Sequence, residues 1–154
     1  KLAQKGDVLV VNAHGDLHHG LWGEITTRMA LKKGLAGIVI DGAVRDAQFI
    51  RHSGLPLFCR GVMPCGGGKE GPGQVNFPVS CGGVVVQPGD VVVGDSDGIV
   101  VVPKDKLSLA IERAQQRLDI ETKRIAGIEQ GQIYPKFLMP TLRAKGLLNE
   151  EEEI

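Results

Sequence analysis

The sequence predicts an α/β fold. Three observations carry this expectation. An apolar run, a helical pattern and a second apolar run follow one another near the N-terminus. Several short Val-rich runs, each closed by a Gly, Pro or Asp turn, occupy the middle of the chain. A long amphipathic stretch follows them. The first observation describes a βαβ unit, whose strands lie parallel with the helix across one face.

The elements follow in order. Gly6-Asp7 marks a turn. Residues 8–13, VLVVNA, place four apolar residues in a row, which predicts a strand buried on both faces. Residues 14–20 read as a loop. Across residues 21–33, Leu21, Ile25, Met29 and Ala30 recur at helical spacing. Lys32 and Lys33 suit a helix C-terminus, and Gly34 ends it. Residues 36–40 form the next strand, which stops at Asp41-Gly42. There Asp41 can cap the turn through its side chain. A short helix over 43–52 and a short strand over 55–60 come next. Residues 65–73, CGGGKEGPG, read as a flexible loop, a lid or a subunit contact.

Residues 75–80, 83–87, 91–94 and 99–102 read as strands joined by tight turns, with Asp97-Gly98 a hairpin signal. After Pro103, Asp105 caps a helix over 106–126. Its stripe is Leu107, Ala110, Ile111, Ala114, Leu118 and Ile125. Gly127 and Gly131 break it, and LRAKGLL makes a short final helix. With no repeat and no clear boundary, residues 1–154 read as one domain. The abrupt start at Lys1 suggests that an N-terminal segment is missing.

The totals exclude several function classes. Eighteen Lys and Arg balance eighteen Asp and Glu, so nothing points to a nucleic-acid backbone or a membrane surface. The acidic block at 150–153 reads as a solvated tail. No apolar run approaches the ~20 residues of a membrane helix. Cys59, Cys65 and Cys81 are odd in number and lack CxxC spacing, which suggests reduced thiols in a cytoplasmic protein.

The candidate chemistry gathers at two places. In Gly20-Leu21-Trp22-Gly23, free N–H groups at a helix start can hold a carboxylate or phosphate, while the glycines serve equally for tight packing. Trp22 is a core anchor or a pocket wall. Glu24 favours the helix dipole on a solvated face, or acts as an acid/base group beside a metal. Arg45 and Asp46 follow the carboxyl end of the next strand, where ligands collect in open α/β sheets. A guanidinium suits a carboxylate or enolate oxygen, and a carboxylate suits Mg²⁺. The same pair also suits helix capping with a surface ion pair. His14, His18 and His19 read as loop histidines at a pocket mouth, because Gly15 and Gly20 break any shared helical face. Lys69 precedes Glu70, so residues 65–73 lack the phosphate-loop order. No nucleophile elbow and no buried Schiff-base lysine is present.

These stretches together, VLVVNA, GLWGEITTRMALKKGLAGIVIDGAVRD, PLFCRG and PVSCGGVVVQPGDVVVGDSDGIVVVP, resemble the class II 4-hydroxy-4-methyl-2-oxoglutarate / 4-carboxy-4-hydroxy-2-oxoadipate aldolases. That family shares its fold with the RraA regulators of ribonuclease E. The resemblance implies a swivelling β/β/α domain, assembled as a homotrimer or homohexamer with sites between subunits. It implies that the amides of Gly20, Leu21, Trp22 and Gly23 hold a pyruvate carboxylate and that Arg45 contacts the pyruvate oxygens. It places Mg²⁺ or Mn²⁺ on Asp46, partly through water, and has Glu24 organise metal-bound water. A glutamate of the neighbouring subunit's C-terminal helix reaches the metal shell. Glu121 matches it by helix position, with Glu112 the second choice.

The implied reaction is retro-aldol cleavage of a 4-hydroxy-2-oxo di- or tricarboxylic acid to pyruvate and a second oxo acid. Oxaloacetate decarboxylation would accompany it. The rival is a non-catalytic RraA-type regulator that binds a ribonuclease. Quinone methylation is disfavoured, because no glycine-rich adenosylmethionine loop is present.

Overall fold

The strand Gly37–Val44 (β2) is buried along its whole length, and the N-terminal part of the fold is built on it. In the computed structural model, which describes residues 2–149, the chain divides into two compact units, Lys1–Leu107 and Ser108–Ile154. In the first unit β2 lies between Val8–Gly20 (β1) and Leu57–Val62 (β3), all parallel. The helix Glu24–Lys33 (α1) joins β1 to β2, as the βαβ pattern requires. Ala47–His52 (α2) joins β2 to β3. Ile38, Ile40, Val44, Ala30, Ile50 and Leu55 form the buried cluster, with Leu9, Val11, Trp22 and Leu57 packed against it.

Several expected boundaries move, each for a physical reason. β1 is an edge strand and only half-buried, so the doubly buried strand is β2. Residues 14–20 are extended rather than a loop. β1 stays paired at Asp16 and Gly20, and the intervening residues bulge out. His14 and Gly15 take positive φ in that excursion, and Asn12 Oδ1 accepts the His14 N–H at 2.8 Å. β2 does not stop at Asp41-Gly42. Gly42 lets β1 approach so closely that a Cβ there would lie 2.7 Å from that of Ala13. α1 begins at Glu24, not Leu21, and its expected apolar stripe faces outward in part. Ile25 and Met29 are exposed, whereas Thr27 and Ala30 are buried.

The Val-rich region forms two antiparallel hairpins, Val79–Cys81 (β4) with Val84–Val86 (β5) and Val91–Asp95 (β6) with Gly98–Val102 (β7). Gly82 and Gly83 both take positive φ at the first turn, as a two-residue primed turn demands. Asp105 lies inside a 3-10 turn, Lys104–Lys106, rather than capping a helix. The long helix is Leu107–Glu129 (α3), and it runs through Gly127. A short helix, Leu138–Ala144 (α4), follows in the second unit. No residue of α3 is buried, and Ile111, Leu118 and Ile125 of its stripe are exposed. Among the described residues no helix is long and apolar enough to cross a membrane. All three cysteines are free thiols.

Asp41 is the buried charge of β2. It is not a turn cap. Its Oδ1 accepts from Arg60 Nε on β3, and its Oδ2 accepts the Gly82 N–H at 3.0 Å. One carboxylate thus ties the β4–β5 turn and β3 to the central strand. The Gly82 amide first, and then the Arg60 guanidinium, hold its carboxyl below the ordinary value of 3.8. Its contribution to stability is therefore complete above that value and is lost as pH falls through the folded pKa. Asp41→Asn should be less stable than wild type near pH 7, and the gap should shrink below about pH 4. Urea unfolding of both chains across this range measures it. A gap independent of pH would show that the charge of Asp41 is not its cause.

Candidate active site

Backbone bonds lace three strand ends to the start of α1. Leu21 N–H donates to Ala43 O at 3.0 Å, and Arg45 N–H to Trp22 O at 2.7 Å. Gly20 N–H donates to Cys65 O at 2.7 Å, and Met63 N–H to Val44 O at 2.8 Å. Gly20 and Gly66 also form a parallel bridge, so the start of the glycine-rich loop is pinned to the end of β1. No Cβ fits at Gly20, where it would come within 2.3 Å of Met63 O.

Arg45 and Asp46 leave β2 and reach back to this turn. Arg45 Nη1 donates to Gly20 O at 2.8 Å, which fixes the guanidinium. Asp46 takes a left-handed backbone, φ 56° and ψ 37°. Its Oδ2 accepts the Glu24 N–H at 2.9 Å and lies 3.9 Å from Arg45 Nε. Oδ1 has no partner among the described residues, and the side chain is 44% exposed. Arg45, Asp46 and the turn at 20–24, placed far apart in sequence, are thus in direct contact.

The turn amides are largely engaged within the fold. Gly20 and Leu21 donate to backbone carbonyls, and Gly23 donates to Thr26 Oγ1 at 3.0 Å. Trp22 N–H is left without an acceptor among the described residues. The glycines at 20 and 23 therefore serve close packing: a Cβ on Gly23 would meet Asp46 Oδ2 at 2.4 Å. Trp22 packs against the core cluster, and its Nε1 donates to Thr27 Oγ1 at 2.8 Å.

Glu24 meets Asp46 only through its amide. Its carboxylate pairs with Arg28 one turn along α1, at 2.6 Å, and Arg28 in turn lies over the Phe49 ring at 4.3 Å. The histidines lie on the β1 excursion. Asp16 accepts the His18 N–H at 2.7 Å and contacts His19 Nδ1 at 2.8 Å. The His18 amide, then His19, lower the Asp16 carboxyl. Glu121 pairs with Arg117 at 2.6 Å, and Glu112 accepts from Gln116 at 3.1 Å, both on α3 in the second unit.

Sequence reasoning passes over Arg60, Thr26 and Thr27. Strand register would have found Arg60, because Ile40 pairs with Cys59, and the next residues are Asp41 and Arg60. Among the described residues no three His, Cys, Asp or Glu side chains cluster to ligate a metal. A single carboxylate with one uncommitted oxygen suits Mg²⁺ or Mn²⁺, which complete their shells with water and substrate. It does not suit a closed zinc site.

The fold and this site define an α/β domain that holds an Arg–Asp pair, at the carboxyl end of its central strand, against a helix start. Residues 1–101 match the RraA-like family described as Aldolase/RraA, and the chain belongs to that family. It is 41% identical over 115 residues to a candidate 4-hydroxy-4-methyl-2-oxoglutarate aldolase of Halalkalibacterium halodurans, covering 75% of this chain and 55% of that one. A crystal structure of an uncharacterized Pseudomonas syringae protein matches with a TM-score of 0.80 at 33% identity, over 84% of this chain and 65% of that one. The Streptomyces coelicolor protein RraAS2, an unusual member of the RNase ES inhibitor RraA family, matches with a TM-score of 0.72 at 40% identity. That match covers 79% of this chain and 64% of the other. In each case the chain spans less than two-thirds of the relative's length.

The steric demand at Gly20 is open to test. Gly20→Ala should cost about 1–3 kcal/mol, the usual penalty of overpacking a filled site. Gly68→Ala, where a Cβ meets nothing within 4 Å, should be near neutral. Denaturant midpoints of the two variants separate these cases. Equal midpoints would remove the packing role of Gly20.

Proposed function

We propose that this chain is a divalent-metal-dependent pyruvate aldolase of the lyase kind. It would cleave a 4-hydroxy-2-oxo di- or tricarboxylic acid to pyruvate and a second oxo acid. One observation carries this reading. A fixed guanidinium and a carboxylate with a free oxygen lie 3.9 Å apart at a strand end. The aldolase name of the Halalkalibacterium halodurans relative supports it.

In this reading Arg45 keeps Nη1 on Gly20 O and turns its remaining N–H groups to the 2-oxo acid. Breaking C3–C4 builds negative charge on the 2-oxo oxygen, and a donor already in place stabilises it without reorganisation. Trp22 N–H is the turn amide free to meet the substrate carboxylate. Glu24 accepts the 4-hydroxyl proton through a water. Its carboxylate must first leave Arg28, which is inexpensive, because exposed i,i+4 pairs are worth only ~0.3–0.5 kcal/mol. Asp46 would hold a divalent cation, Mg²⁺ or Mn²⁺, which would supply Lewis-acid polarisation of the 2-oxo group. We further propose that chains assemble as a homotrimer or homohexamer through the uncovered stripe of α3, with Glu121 of a neighbouring copy reaching the cation through water. Loss of carbon dioxide from oxaloacetate yields the same enolate, so that decarboxylation accompanies the aldolase reaction.

A second reading is a non-catalytic regulator that binds a ribonuclease. The pairing of Glu24 with Arg28, away from Asp46, favours it, as does the likeness to RraAS2. Oxaloacetate and Mg²⁺, with pyruvate followed by a coupled dehydrogenase, separate the two. Pyruvate formation supports the aldolase, and its absence supports the regulator. Arg45→Ala should lower turnover by ~10²-fold or more, on the scale of one lost oxyanion donor. Excess EDTA should abolish activity. Near-normal turnover in either experiment would sink the scheme.

A further inference from the structure

We infer that Asp46 is the N-cap of α1, supplied from the end of the neighbouring strand, and so a positioning residue for the helix start. This rests on the proposed function only for the role of its second oxygen. The first N–H groups of a helix lack intrahelical acceptors, and an N-cap side chain usually provides one. Gly23 holds the N-cap position of α1 and has no side chain. Its own N–H is taken by Thr26 Oγ1, and its carbonyl accepts from Thr27 N–H at 3.0 Å. The Glu24 N–H is left over, and Asp46 Oδ2 accepts it from 22 residues along the chain.

Two further features point the same way. A Cβ on Gly23 would lie 2.4 Å from Asp46 Oδ2, so the carboxylate would have to leave its place on the Glu24 N–H. Asp46 holds the N-cap position of α2 with a left-handed backbone and makes no side-chain cap bond there, which leaves its carboxylate to α1. The carboxylate charge also favours the positive end of the helix. Oδ2 is thereby committed to the helix and Oδ1 is the oxygen offered to a cation. The carboxylate is oriented before any cation arrives, and Glu24 is set beside it.

The test separates the cap from the metal. In EDTA, Asp46→Asn keeps an acceptor oxygen, so hydrogen exchange at the Glu24 amide should stay within about twofold of wild type. Asp46→Ala removes the acceptor, and exchange there should rise on the order of tenfold. Unchanged exchange in Asp46→Ala overturns the cap. So does equal acceleration in Asp46→Asn, because the effect would then follow charge rather than the acceptor. Should Asp46→Ala fail to fold, scalar coupling between the Glu24 amide nitrogen and the Asp46 carboxyl carbon in wild type decides. Its presence supports the cap and its absence overturns it. Mn²⁺ binding is read on separate, EDTA-free samples of the same proteins. If Asp46→Asn binds Mn²⁺ as wild type does, the metal reading fails while the exchange data still judge the cap.

Discussion

The structure around the candidate site depends on one constraint. Two adjacent side chains at the end of β2 reach back to the segment between β1 and α1. Arg45 fastens to Gly20 O, and Asp46 fastens to Glu24 N–H. Both contacts require backbone to lie where side chains would otherwise be. Glycine at 20 and 23 follows from that crowding. So does the close passage of Gly66, where a Cβ would lie 3.3 Å from Arg45 Nη1. Gly20, Gly23 and Gly66 all lie against the Arg45–Asp46 pair, and Gly20 is further hemmed in by Met63 O.

The same strand carries a second charged anchor four residues earlier. Asp41 is buried, and it is tolerable there because both oxygens are hydrogen-bonded, one by a cation. Removing only the cation would leave an uncompensated charge inside the sheet, which is costlier than never having placed one there. Arg45 and Asp46 are exposed by comparison, so their contacts add less stability apiece. Their value is in direction. They aim a guanidinium and a carboxyl oxygen from a strand that cannot shift, because its apolar residues are buried on both faces.

Much of this was legible in the sequence. The βαβ unit, the paired Val-rich strands and the long C-terminal helix follow from periodicity and turn residues, which are local signals. The nearness of GLWGE to GAVRD was also legible, because parallel strands bring their carboxyl ends together. What stayed hidden was register and direction. Residues 14–20 look like a loop, since nothing in HGDLHHG shows that Asp16 and Gly20 remain paired to β2. Ile25 and Met29 fit a helical stripe, but the buried face is set by where α1 crosses the sheet, and Thr27 lies there instead. Asp41 resembled a turn residue because its partners, Arg60 and Gly82, are 19 and 41 positions away.

Arg45 and Asp46 have a structural duty that is independent of the function proposed for them. A residue pair that fastens a helix to a sheet serves folding, whatever the chain does. The pair therefore marks the fold before it marks catalysis. Glu24 stands differently. Its amide is held by Asp46, but its carboxylate contributes only an exposed pair with Arg28. Almost any helix-forming residue would serve the backbone at that position. Beyond the favourable dipole of the first turn, folding asks little of an acid there, so under the function proposed above Glu24, more than the better-anchored Arg45 and Asp46, is the residue on which an aldolase and a regulator would differ.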